Sequence, residues 1–314
     1  MRLQRMVLAI VLSVLLCGQA LAVTKIWVGT DVNYTGVWTD PNNWQPTGVP
    51  VTGDNVYLEE TSQGVTSGLD PNSVLLASLN IAQSYTGSIG DDVNYLKICA
   101  TKVEIGYNPG MSVTLTGSGR IKLNLDANQS FVTIHNSALT ASETSMPPIR
   151  LLTNHASTVV EVRKGKVGIA YETGETSTLS KVISSYSTSK TTDSDTYIGA
   201  GTTLTTLSQT GGDVVLNCAL TTATSEGGTL LTQGTGAITT LNAAGGTVMS
   251  NSTGTITTAN ISGGLLDFTK SAAARTVTTM KLDSGGQVKF DPSILTITNK
   301  IISNNPATYT ASSL

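Results

Sequence analysis

The 314-residue sequence predicts an all-β protein wound as a single-stranded parallel β-helix, a β-solenoid, with an N-terminal tryptophan-rich cap. Three observations carry this. First, a Thr-Thr pair recurs five times, at Thr205-Thr206, Thr221-Thr222, Thr239-Thr240, Thr257-Thr258 and Thr278-Thr279. Each is followed by Gly-Gly, and successive Gly pairs lie 16, 18, 18 and 22 residues apart. A period near 20 residues is what a chain shows when each turn stacks on the one before it. Second, the residue before each Thr pair is Leu204, Leu220, Ile238, Ile256 or Val277, and the residue two after each Gly pair is Val214, Leu230, Val248, Leu266 or Val288. Two fixed apolar positions per repeat predict two inward ladders at strand spacing, about 4.8 Å. Third, 24 of the 100 residues from Gly201 to Lys300 are Thr, and Gly pairs interrupt every segment. Each Gly costs about 1 kcal/mol in a helix, so a helical repeat is excluded.

Taken along the chain, residues 1–22 read as a secretory signal: Arg2 and Arg5, an apolar run from Met6 to Leu16, and Ala20-Leu21-Ala22 at a cleavage site. Residues 23–60 hold all three tryptophans, Trp27, Trp38 and Trp44. A stacked coil exposes an apolar end, and large aromatics here are expected to close it. Residues 61–300 form the solenoid. Up to Ala200 its strands are short and loosely patterned, as in Leu76-Ala-Ser-Leu-Asn-Ile and Thr158-Val-Val-Glu-Val; from 201 to 300 the coils are regular. Within them the Thr pair is expected to make one inner and one outer threonine row, and Gly-Gly marks a corner where φ is positive or a neighbouring coil excludes a Cβ. Gly234-Thr-Gly236 and Ser252-Thr-Gly254 mark a second corner, and Ala272-Ala273-Ala274 is expected to bulge outward. Residues 301–314 read as a polar tail. At about 20 residues per coil, the mature chain should hold roughly 13 to 14 layers, a rod near 65 Å long.

Composition narrows the function. Charged residues are 12% of the chain, against a usual value of about 25%, and the formal net charge is −3. There is no basic surface for nucleic acid and no polybasic patch for a membrane, so neither partner is expected. Cys99 and Cys218 are too far apart along the stack to bridge and are expected to be buried free thiols. His135 and His155 have no partners at metal or triad spacing. The acidic pairs Glu59-Glu60 and Asp91-Asp92, and Asp193 with Asp195, do not recur at coil spacing; in the repeats Asp213, Glu226, Asp267, Asp283 and Asp291 occupy unrelated positions. Asp31, Asp40 and Asp54 read as turn residues. No catalytic residue, metal site or cofactor is therefore expected. The one candidate ligand surface is a carbohydrate platform on Trp38 and Trp44, since sugars stack on indole faces; closing the end of the coil is the competing role.

The stretch Trp38-Thr-Asp-Pro-Asn-Asn-Trp44, followed by Gly48-Val-Pro and Gly53-Asp-Asn-Val, resembles the opening of secreted right-handed β-helix surface proteins of the autotransporter-passenger and adhesin type. The run Leu76 to Gly90 with the Thr-Thr/Gly-Gly repeats is also similar to uncharacterised β-solenoid proteins of bacteria and phages. The resemblance implies a right-handed coil and a secreted or cell-surface structural or adhesive protein. Its implied partners are cell-surface or extracellular-matrix components, polysaccharide among them, or other copies of itself. A carbohydrate-active β-helix and a phage-like fibre component are the alternatives. The resemblance to true autotransporters is incomplete, since these 314 residues contain no series of alternating ten-residue strands of the kind expected for a membrane barrel.

Overall fold

The computed structural model describes residues 22–29, 36–71, 74–91, 93–107, 121–125, 130–135, 147–185, 195–303 and 308–311. The expected signal therefore lies almost wholly outside the described residues, as do Asp31, Asp92 and Asp193. Apart from one short 3-10 turn at Pro41–Asn43, every described element is a strand.

The strands stack into two long parallel faces. The first face runs through Thr24–Trp27, Asn55–Leu58, Leu75–Ala82, Leu96–Tyr107, Phe131–His135, Val159–Lys164, Ser177–Ser184, Thr202–Gln209, Leu220–Ser225, Ile238–Ala243, Ile256–Ile261, Arg275–Leu282 and Leu295–Ile302, each pairing in parallel with the next. Thirteen strands give twelve spacings of about 4.8 Å, a stack about 58 Å long. The second face starts at Leu96–Ile98 and continues through Ile121–Leu125, Ile149–Thr153 and Val167–Ile169 to Gln287–Phe290 and Thr308–Ala311. The chain alternates between the faces, so it is an all-β parallel solenoid.

Both predicted ladders are present. Leu204, Leu220, Ile238, Ile256 and Val277 are register partners in sequence and all buried. On the second face Val214, Leu230, Val248, Leu266 and Val288 do the same. Such columns form because β-branched and leucine side chains stack well on a pleated surface, and each fully buried one contributes about 1.5–3 kcal/mol.

The Thr pairs behave differently from expectation. In Leu220–Ser225 the burial order is buried, exposed, half-buried, buried, half-buried, buried, so Thr221 and Thr222 both face outward. Ile238–Ala243 and Ile256–Ile261 repeat it. Among the described residues, the paired threonines therefore make no inner row. The third inward column is instead Leu207, Ala223, Leu241, Ala259 and Met280, and a fourth runs Gln209, Ser225, Ala243, Ile261 and Leu282. Two consecutive outward residues shift the alternation by one, which is why the interior apolar residue follows the pair.

The Gly corners meet both expected conditions. Gly212, Gly228, Gly246 and Gly264 have φ of 72°, 73°, 66° and 69°. A Cβ on Gly227 would stand 2.5 Å from the Thr210 carbonyl oxygen of the previous coil. At the second corner, a Cβ on Gly254 would stand 2.2 Å from the Gly236 oxygen. Ala272 and Ala274 are exposed, and across this insertion Ile256 still pairs with Val277. The buried Arg275 anchors the insertion by donating to the carbonyls of Ser250, Ser271 and Ala273. Parallel pairing also continues beyond Lys300, into what reads from sequence as an irregular tail: Thr308–Ala311 pairs with Gln287–Phe290.

Candidate functional site

At the N-terminal end, Trp44–Gln45 pairs antiparallel with Thr24–Trp27, on the edge opposite Asn55–Leu58. Trp27, Trp38 and Trp44 are 0%, 1% and 2% exposed and pack edge-on, with ring centroids 5.0 Å apart for Trp27 and Trp44 and 4.7 Å for Trp38 and Trp44. The Trp44 indole N–H donates to the Trp38 carbonyl at 2.8 Å and that of Trp27 to the Gln63 carbonyl at 2.9 Å. Trp38 and Trp44 are thus brought together, but in this arrangement neither turns an open face to solvent on which a sugar would stack.

The predicted turn acids divide by role. Asp40 accepts from the Asn42 backbone N–H at the start of the 3-10 turn. Asp54 is buried and accepts from the backbone N–H groups of Val23 and Val51, fastening the first residues of the coil to its second strand. Contrary to the expectation that the acids do not recur at coil spacing, Asp213 is the register partner of Asp195 in the coil before it, because these two strands start in step; its partner in the next coil is Thr229, while Asp267 lies between Met249 and Lys289. No group of three or more His, Cys, Asp and Glu side chains among the described residues is placed to hold a metal ion. Cys99 and Cys218 are free and buried. His135 is exposed, and its imidazole is held below the usual value by partial desolvation and then by Lys164 and Arg163.

A polar assembly lies on the outer side of the second face, where the sequence gives no sign of it. Lys122, Arg150, Gly168 and Tyr197 are successive partners in one outward column. Lys122 and Arg150 are 3% and 5% exposed, although they point away from the core, because a roof covers them. The Val167–Ile169 strand ends at Ala170 with φ 45°, and the chain turns back over the column. A Cβ on Gly168 would stand 2.8 Å from the Tyr171 Cβ, so the glycine makes room for that tyrosine. Tyr171 then sits between its neighbours, its ring 5.2 Å from the Arg150 guanidinium and 4.8 Å from the Tyr197 ring. Tyr95 covers Lys122, whose Nζ is 5.7 Å from the ring centroid.

Carboxylates complete the roof. Arg150 Nη1 donates to Glu172 Oε1 at 2.7 Å, Tyr95 donates its hydroxyl to Glu175 Oε1 at 2.6 Å, and Glu175 Oε2 accepts from the Glu172 backbone N–H at 2.8 Å. Burial, then the hydrogen bond to Glu175, raises the Tyr95 hydroxyl far above its usual value, against a smaller opposing pull from Arg150. Tyr95 also borders an open cleft of about 390 Å³ lined by Thr66, Ser67, Asp70, Asp91, Asn94 and Lys97. There Lys97 pairs with Asp70 at 3.0 Å, and Asp91 accepts from Asn94 and Val93, which holds its carboxyl below the usual aspartate value.

Chemically, this assembly pairs the buried Arg150 with a carboxylate, sets the buried Lys122 against an aromatic ring and stiffens the outer wall. Arg150 and Tyr95 already engage the two carboxylates that reach it. Sequence reasoning misses it because Tyr95 and Glu175 are 80 residues apart, and only the stacking of coils joins them. No protein-family model, curated protein or solved structure matches this chain.

Proposed function

We propose that this protein is a secreted or cell-surface β-solenoid without catalytic activity, a rigid structural or adhesive rod of the autotransporter-passenger or adhesin kind. The observation that supports this best is the regularity of the stack. Side chains of successive coils occupy equivalent positions for most of its length, and the carboxylates of Glu172 and Glu175, which meet over the outer wall, are engaged by Arg150 and Tyr95. A surface of this kind displays repeated chemistry along a line instead of converging several groups on one reacting atom. The right-handed winding inferred from the resemblance also agrees with the strong preference for right-handed crossovers between parallel strands.

In this reading the tryptophan cluster and the antiparallel Trp44–Gln45 strand close the N-terminal end, keeping the first rung from pairing with other chains. Partners are extracellular or cell-surface materials, met through the long faces. The cleft beside Tyr95 favours polysaccharide as a second class of partner, since a tyrosine ring and carboxylate, amide and ammonium groups meet there.

The test is to express the full chain with its own leader and image the exported product by negative stain, while incubating it with a panel of polysaccharides. Rods about 60 Å long and no release of reducing sugar are expected. Turnover of any polysaccharide that is abolished by Glu172→Gln or Glu175→Gln would overturn the non-catalytic reading.

A further inference from the structure

The outward Thr pairs form a regular surface along five coils. Thr206, Thr222, Thr240, Thr258 and Thr279 are register partners on five consecutive strands. Beside them run Thr205, Thr221, Thr239, Thr257 and Thr278; in both columns the side chains are exposed or half-exposed. The array spans four coil spacings, about 19 Å. None of these ten hydroxyls makes a hydrogen bond with another described residue, in contrast to Thr224 next to them, which accepts from Asn242. Within the two columns there is no charge and no aromatic ring. Lys181 bounds the array at one end and Asn299 at the other.

We propose that this threonine face binds ice. The proposal rests on the reading of the protein as a rod that adheres through its faces. Each threonine holds a hydroxyl that both donates and accepts, next to a methyl that water must surround. β-Branching restricts χ1, so both groups are held in place before anything binds. Water over the array inherits the coil repeat of about 4.8 Å, close to the oxygen repeat of ice, and a layer so ordered can merge with a crystal. Individual contacts are weak, but they are made together by a rigid scaffold that loses little freedom on binding. Sugar recognition draws on aromatic faces together with charged and amide groups, and these columns contain none. The neutrality that leaves them poor at capturing a charged or aromatic-seeking ligand suits a lattice of water.

The test is to freeze a dilute solution of the full-length protein slowly, together with a non-binding protein of similar size, and compare the two in the ice fraction. Single crystals grown in the protein are inspected for facets. Enrichment in ice and faceted growth are expected. Thr240→Tyr and Thr258→Tyr, which keep a β-compatible residue on the surface, should reduce uptake to that of the control with unchanged melting curves. Thr229→Tyr, half-exposed on the second face, should leave it intact. Equal exclusion of the native protein and the control from ice would overturn the proposal, and so would equal loss in the Thr229 and Thr240 variants. A parallel arm measures sedimentation with insoluble crystalline polysaccharide; binding there that Thr240→Tyr abolishes, without ice uptake, reassigns the face to a sugar solid and also overturns it. Catalytic turnover would refute the non-enzymatic reading without bearing on ice uptake.

Discussion

The carbonyl oxygen of Gly212 lies where a side chain on Gly228 would begin: a Cβ there would be 2.0 Å away. Gly228 also has φ 73°, so two independent constraints exclude a side chain. Gly228→Ala should cost about 2–5 kcal/mol, the sum of left-handed strain and a forced shift between coils. Gly234 has φ 69°, but the nearest atom to its added Cβ is Asn217 O at 3.5 Å. Gly234→Ala should therefore cost only the strain, about 1–2 kcal/mol. Chemical denaturation of the two variants checks the difference.

Arg275 is 3% exposed and its guanidinium is spent on backbone carbonyls of Ser250, Ser271 and Ala273. Arg275→Leu fits the apolar surroundings but leaves those carbonyls without their donor, an expected loss of about 2–4 kcal/mol. Arg275→Lys keeps the charge without the planar fork and should fall between. Limited proteolysis should find cleavage near Ala272 in the Leu variant before the rest of the rod is attacked.

Burial pushes the Cys218 thiol up from 9.0 to about 12. A folded value above the unfolded one favours the protonated thiol in the native state. Its contribution to stability is full below pH 9.0, and declines as pH rises through the folded value of about 12. Native protein at pH 8 should leave Cys218 unmodified by a thiol reagent, and unfolding should expose it. Rapid native-state labelling would contradict the burial.

The Tyr95 hydroxyl is raised in the same sense, first by burial and then by Glu175. Below the usual tyrosine value of 10.0 its stabilising share is complete, and alkali removes it as the folded value is reached. Tyr95→Phe should cost about 1–2 kcal/mol by removing a hydrogen bond to a carboxylate. It should also delete a late-ionising tyrosine from a spectrophotometric titration.

Much of the fold is legible in the repeats because identical residues stand where coils touch. Ile238 and Ile256 occupy equivalent positions, so their pairing follows from spacing alone. The column Leu207, Ala223, Leu241, Ala259 and Met280 is hidden from the sequence, because its members range from Ala to Met and the outward Thr pair displaces them from simple alternation. The candidate site is less legible still. Arg150 stands in the short strand-like run Ile149-Arg-Leu-Leu, and nothing near it in sequence announces Tyr95 or the left-handed turn at Ala170 that brings Tyr171 and Glu172 over it. Trp38 and Trp44 are recognisable as a cluster, whereas their burial is decided by Trp27 and by the antiparallel Trp44–Gln45 strand.

Distances between spin labels test the stacked register most directly. With one label at Thr206 and the second at Thr258, Thr279 or Asn299, the pairs lie three, four and five coils apart. Backbone separations of about 14, 19 and 24 Å, rising in equal steps, are predicted. Distances that fail to grow with coil number, as in a compact sandwich, would contradict the solenoid and everything inferred from its faces.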